Sequence, residues 1–113
     1  MKKAYAPHIV IIQESITAIE SYRPVDREAF LASLILQDAV LMRLQVIGEH
    51  LARIRHIDED RFAEVADRTW YQIIGLRNII SHGYETIDQE RIWQIVNTQL
   101  PALATSLHAL AED

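Results

Sequence analysis

Eight consecutive residues, Arg77-Asn78-Ile79-Ile80-Ser81-His82-Gly83-Tyr84, gather an arginine, an amide, an imidazole and a phenol where a helix is expected to stop. An arginine fork matches the oxygens of a phosphate, and an imidazole titrates near neutral pH. Together they can hold a phosphodiester and move its protons, which is the chemistry of a phosphoryl-transfer site. In that role Arg77 holds phosphoryl oxygens, His82 exchanges protons, and Asn78 orients the imidazole or the phosphate. Ser81 and Glu49 are supporting candidates.

Each of these residues also has a purely structural role open to it. His82 beside Gly83 could cap carbonyls at a helix end. Arg77 could pair with a buried carboxylate such as Glu49, an arrangement that could coexist with phosphate binding. Asn78 could be structural, and Tyr84 an ordinary loop aromatic. Trp70 and Trp93 read as core residues. His8, His50, His56 and His108 lack zinc-ligand spacing and read as surface or cap residues, so neither a metal nor a cofactor is expected.

The elements that must position this cluster are helical, because apolar residues recur at three- and four-residue steps with few glycines or prolines between them. Pro7 opens a first helix, with Ile9, Ile12, Ile16 and Ile19 on one face, that should end at Arg23-Pro24. Asp26 is the expected N-cap of a second, longer helix, lined on one side by Phe30, Leu34, Leu41, Leu44, Ile47, Leu51 and Ile54. Leu31, Ile35 and Met42 widen that stripe, which points to the centre of a bundle or to a subunit interface. Arg55 to Asp60 reads as a connection, followed by a short amphipathic turn through Phe62 and Val65. From Thr69 a third substantial helix carries Trp70, Ile73, Ile74, Leu76, Ile79 and Ile80 to Gly83, expected as a C′ residue with positive φ. A last helix should begin near Asp88 and kink at Pro101. The fold class is therefore all-α, a small antiparallel helical bundle with a kinked C-terminal helix, in one domain over 1–113.

Composition narrows the partners. Half the 113 residues are hydrophobic, and the formal net charge of −5 argues against nucleic-acid binding driven by overall charge. Nine of the 11 basic residues are arginines, so a local phosphate pocket on an acidic protein stays open. With no cysteine there is no disulfide framework or thiolate nucleophile, a composition at home in a reducing cytoplasm. The amino terminus does not read as a signal peptide, and polar residues interrupt every apolar stretch well short of the roughly 20 residues that cross a bilayer, so no membrane is expected.

Helix geometry limits how the cluster can act. At about 100° per residue Asn78 and His82 share a face, whereas Arg77 and His82 stand roughly 140° apart on a regular helix. They converge on one ligand only if the helix loosens at His82-Gly83, or if two chains meet across a two-fold axis. A homodimer would bring two Arg77 and two His82 into one cleft and bury surplus apolar surface of the long helix.

The arginine, four residues, histidine, one residue, tyrosine spacing resembles the motif of the HepT-like toxins of the HEPN ribonuclease superfamily. Leu44-Gln45-Val46-Ile47-Gly48-Glu49 resembles the family's Ile-Gly-Glu segment, and Trp70-Tyr71-Gln72-Ile73-Ile74-Gly75-Leu76 the tryptophan-led run before its arginine. Ile92-Trp93-Gln94-Ile95-Val96 with Leu100-Pro101-Ala102-Leu103 resembles its final helix, so the likeness covers nearly the whole chain. His50 departs from it, standing where the family usually has a small residue. The resemblance implies a HEPN-type bundle that dimerises around a shared cleft and cuts RNA without a metal, His82 and Arg77 being catalytic and Asn78 supporting. It also implies a cognate nucleotidyltransferase (MNT-type) antitoxin that adenylylates the motif tyrosine, here Tyr84. A noncatalytic helical module that binds a nucleotide or a partner protein is the alternative.

Overall fold

The computed structural model describes residues 3–22 and 26–111, and among these every regular element is helical. Helix α1 (Ala6–Tyr22) buries Ile9, Ile12, Ile16 and Ile19 as their spacing requires. The expected stop at Arg23-Pro24 lies outside the described residues. Asp26 does cap a helix, its side chain accepting from the Ala29 amide at 2.8 Å, but that helix, α2, is only Arg27–Leu31.

The single long helix expected from Asp26 is thus two. Ser33 starts helix α3 (Leu34–Ile57) as an N-cap whose hydroxyl accepts from the Leu36 amide at 3.1 Å. Buried Gln37 then donates to the carbonyls of Phe30 and Leu31 at 3.1 and 3.0 Å, satisfying acceptors that the break leaves open. A serine cap and one glutamine therefore outweigh a continuous apolar periodicity.

Helix α3 also takes in the first three residues of the connection expected over Arg55 to Asp60, ending at Ile57. Asp58 closes it and at once caps α4 (Glu59–Val65) by accepting from the Arg61 amide at 3.1 Å. Asp67 caps α5 (Arg68–His82). Gly83 then takes φ −147° rather than a positive value, leading into a 3₁₀ turn, Tyr84–Thr86. Asp88 caps α6 (Gln89–Gln94), a π turn spans Ile95–Gln99, and α7 (Leu100–Ala111) is the last described element. The π turn falls where a hydrogen-bond ladder about to lose the Pro101 donor gives way, so the expected kink is a widened turn.

Helix α3 is the axis of the bundle, packed against α1 on one side and α5 on the other. Side-chain pairs fix both directions. His8 meets His50 and Tyr22 meets Arg43, while Arg77 meets Glu49 and Tyr84 meets Asp38. In each case one index rises as the other falls, so both neighbours run antiparallel to α3. The core between them holds Leu41, Leu44, Ile47, Leu51 and Ile54 of α3, with Phe62 against Trp70 and Phe30 against Trp93 closing its ends. Of the wide apolar arc on α3, the part made by Leu34, Ile35 and Met42 faces outward, at 74, 83 and 60% exposure. Ile79 of α5 is likewise exposed, although the helical stripe would have it buried.

Candidate active site

Trp70, Ile73, Ile74 and Ile80 anchor α5 in the core, and that anchoring turns Arg77 toward α3. The two helices approach closely because residue 48 is glycine. A Cβ there would lie 2.7 Å from the Ile73 carbonyl oxygen and 3.1 Å from Cγ of Arg77. Across this contact Arg77 donates from Nη1 to Oε2 of Glu49 at 2.8 Å. Arg53, one turn along α3, donates to the other oxygen from Nε at 3.2 Å and from Nη2 at 3.0 Å. One carboxylate therefore holds two guanidinium groups. The Arg77 hydrogen bond leads in holding the Glu49 carboxyl below its ordinary range, with Arg53 adding to it against a partial opposing effect of burial. Of the two structural possibilities for Arg77, the pairing with Glu49 forms, but the carboxylate is 42% exposed, not buried.

Arg77 lies in a groove of about 250 Å³ that is also lined by His8, Glu49, Ala52, Arg53, His56 and Ile57. His82 is not among these residues. It lies in the last turn of α5, exposed together with Asn78 and Ser81. The helix keeps its α-helical path to His82, where the Gly83 amide donates to the Ile79 carbonyl at 2.8 Å. The loosening that could bring Arg77 and His82 together within one chain does not occur. Asn78 and His82 remain on one side of α5, and Arg77 looks away from them.

Tyr84 opens the turn after α5 and donates its hydroxyl to Oδ1 of Asp38 on α3. This hydrogen bond leads in raising the phenol above its ordinary value, while the side chain keeps 44% exposure. Asp38, Arg53 and the histidine pair were missed from sequence. A signal for two of them exists, because Asp38, Met42, Gln45, Glu49, Arg53 and His56 recur at three- and four-residue steps. They form one mostly polar stripe along α3 that joins the Tyr84 end to the Arg77 groove. His8 and His50, read as unrelated surface residues, meet with Nδ1 atoms 2.8 Å apart. Their separation by 42 residues hides this contact until α1 is laid antiparallel on α3. Among the described residues, no three His, Asp or Glu side chains gather as a metal site. No described helix is long and apolar enough to cross a membrane.

The Ribonuclease HepT-like family model matches residues 12–110, which include every residue of the cluster. The chain belongs to the HepT-like family. It is 30% identical over 93 residues to the Methanocaldococcus jannaschii protein named "Putative RNase MJ1380", covering 82% of this chain and 83% of the relative. It is 28% identical over 104 residues to the "Probable ribonuclease HepT" of Thermococcus cleftensis, covering 91% of this chain and 92% of that one. A third relative, the M. jannaschii "Gamma-glutamylcyclotransferase and putative RNase MJ0434", is 28% identical over 112 residues. That match takes in 98% of this chain and 48% of the longer protein. No solved structure matches the chain. This HepT-like protein has the all-α fold its family implies, with the motif arginine and motif histidine on different sides of one unbroken helix.

Proposed function

We propose that this HepT-like protein is a metal-independent endoribonuclease toxin that works as a two-fold homodimer. The observation that carries the reading is the separation of Arg77 from His82 on a helix that stays regular, in a chain whose relatives carry ribonuclease names. With convergence inside one chain closed off, a composite cleft supplies it: Arg77 of one protomer works beside His82 of the other. Leu34, Ile35, Met42 and Ile79 expose apolar surface that such a dimer can bury.

In that cleft the ribose 2′-OH attacks the neighbouring phosphorus and the bond to the 5′-oxygen breaks, leaving a cyclic phosphate. One imidazole takes the 2′-OH proton, and a protonated imidazole returns a proton to the leaving oxygen. Two His82 side chains can divide these duties. Arg77 stabilises the charge on the phosphoryl oxygens, and Glu49 sets the position of its guanidinium. Asn78, one turn before His82 on the same side, can orient the imidazole or the phosphate. The need for a 2′-OH makes RNA the substrate.

Control follows from Tyr84, whose half-exposed phenol is open to modification. A nucleotidyltransferase antitoxin of the MNT type would add AMP there and place a negative phosphodiester beside the RNA path. Such a pair would act in the cytoplasm. The test is inducible expression alone and with the transferase, scoring growth and RNA integrity, together with cleavage by purified protein in EDTA. Intact RNA and normal growth in both settings would leave a noncatalytic helical module as the better account.

A further inference from the structure

We propose that the groove formed by His8, Arg53, His56 and Arg77 is a second phosphate-binding subsite, which holds a phosphodiester of the RNA strand flanking the one that is cut. The inference rests on the ribonuclease reading and extends it to substrate contacts outside the motif.

Three helices build the groove: α1 supplies His8, α3 supplies Glu49, Arg53 and His56, and α5 supplies Arg77. Ala52 and Ile57 give it apolar walls. Two guanidinium cations face one carboxylate, so the groove is locally cationic on a chain whose formal charge is −5. A guanidinium carries five N–H donors. Arg77 gives Nη1 to Glu49, and Arg53 gives Nε and Nη2, so each fork keeps donors for an anion. Glu49 costs the groove one unit of charge but anchors both forks before any ligand arrives, which lowers the ordering entropy of binding. His56 is exposed, and His8, engaged with His50 through Nδ1, keeps Nε2 for hydrogen bonding.

A phosphodiester is the anion that suits paired arginine forks and flanking imidazoles. Arg77 serves the scissile phosphate at the edge of the groove, so the flanking phosphodiester falls to Arg53, His56 and His8, which the cleavage step does not use. Arg77 borders both places, so the strand would pass from the cleavage cleft along Arg77 into the groove.

The test uses a 2′-O-methyl RNA decamer, which lacks the attacking hydroxyl and reports binding whether or not the protein cleaves. Fluorescence anisotropy across a salt series should show the Arg53→Gln/His56→Gln double variant binding roughly tenfold more weakly at low salt. Its salt slope should fall by about 0.7, the value for one lost contact to a single strand. Histidine ring resonances of His8 and His56 should shift when the decamer is added to wild-type protein. Unchanged affinity and slope in the double variant would overturn the subsite, as would ring shifts produced by AMP but not by the decamer. Cleavage of unmodified RNA, measured separately, tests the ribonuclease reading: binding with the expected slope but without cleavage keeps the subsite and removes the enzyme.

Discussion

Gly48 and Ile73 touch backbone to backbone: a methyl group built on Gly48 would stand 2.7 Å from the Ile73 carbonyl oxygen. That approach lets Glu49, the next residue on α3, reach Arg77, one turn after Ile73 on α5. Gly48→Ala must push the helices apart, because the clash is with backbone and cannot be relieved by a rotamer. Overpacking of this kind costs about 1–3 kcal/mol. Thermal unfolding should therefore shift down, and RNA cleavage should fall further than the lost stability accounts for. Gly75→Ala is the control, since its Cβ meets nothing within 4 Å. It should leave cleavage intact and stabilise the helix by up to about 1 kcal/mol. Equal melting shifts for the two variants would contradict the close-packing account.

Replacing Arg77 or His82 by Ala should each lower cleavage by on the order of 10²-fold or more while helicity is kept. Mixing the two inactive proteins separates the possible arrangements. If the working pair spans two protomers, a heterodimer restores one site of two, and random mixing should recover up to about a quarter of wild-type activity. Absence of recovery in verified heterodimers would mean that the pair lies within one chain or that both His82 imidazoles are needed, since such a heterodimer carries only one. Light scattering should meanwhile give twice the 13.0 kDa mass of the chain.

The His8–His50 contact predicts an acid limit to stability. One Nδ1–H donates to the other Nδ1, an arrangement that survives one added proton but not two. Burial, then the charges of His8 and Arg53, hold the His50 imidazole below its ordinary 6.5, with Glu49 opposing them. Arg77, facing from α5, compensates Glu49. A folded-state value below the unfolded one means that the unfolded chain takes the proton first. The stability is fully present above about pH 6.5 and is lost as pH falls through the folded value. Urea unfolding of wild type should weaken from about pH 7 to about pH 5, and His50→Gln should flatten that decline. Equal slopes for the two proteins would remove the pair as the cause.

The helices were legible in the sequence because burial follows period: Ile9 to Ile19, Leu41 to Ile54 and Ile92 to Leu110 all reach the core as spaced. Legibility failed where a polar side chain overrules period. Ser33 and Gln37 cut one helix into two, and Asp58 serves two helices at once. The motif was readable as a string, and the angular argument placed Arg77 and His82 correctly on separate sides. Their surroundings were not, since Asp38 and His8 reach the site only through antiparallel packing across 46 and 42 residues.

The Tyr84–Asp38 hydrogen bond bears on how the proposed activity would be silenced. For AMP transfer, Oη of Tyr84 bonds to the α-phosphorus of ATP as the bond to pyrophosphate breaks, and the phenolic proton must leave. The Asp38 carboxylate that accepts the hydroxyl is placed to take it, although the same contact raises the phenol above its ordinary value and keeps it neutral beforehand. Incubation with the nucleotidyltransferase and ATP should add AMP-sized mass to the Tyr84 peptide and suppress cleavage. Tyr84→Phe should cleave RNA and escape modification. Asp38→Asn should cleave RNA as well but accept AMP about 10²-fold more slowly, the usual scale for losing a positioned base. An adduct on another residue, or full inhibition of Tyr84→Phe without ATP, would favour steric masking by the antitoxin. Modification of Asp38→Asn at the wild-type rate would show that the proton leaves by way of the transferase.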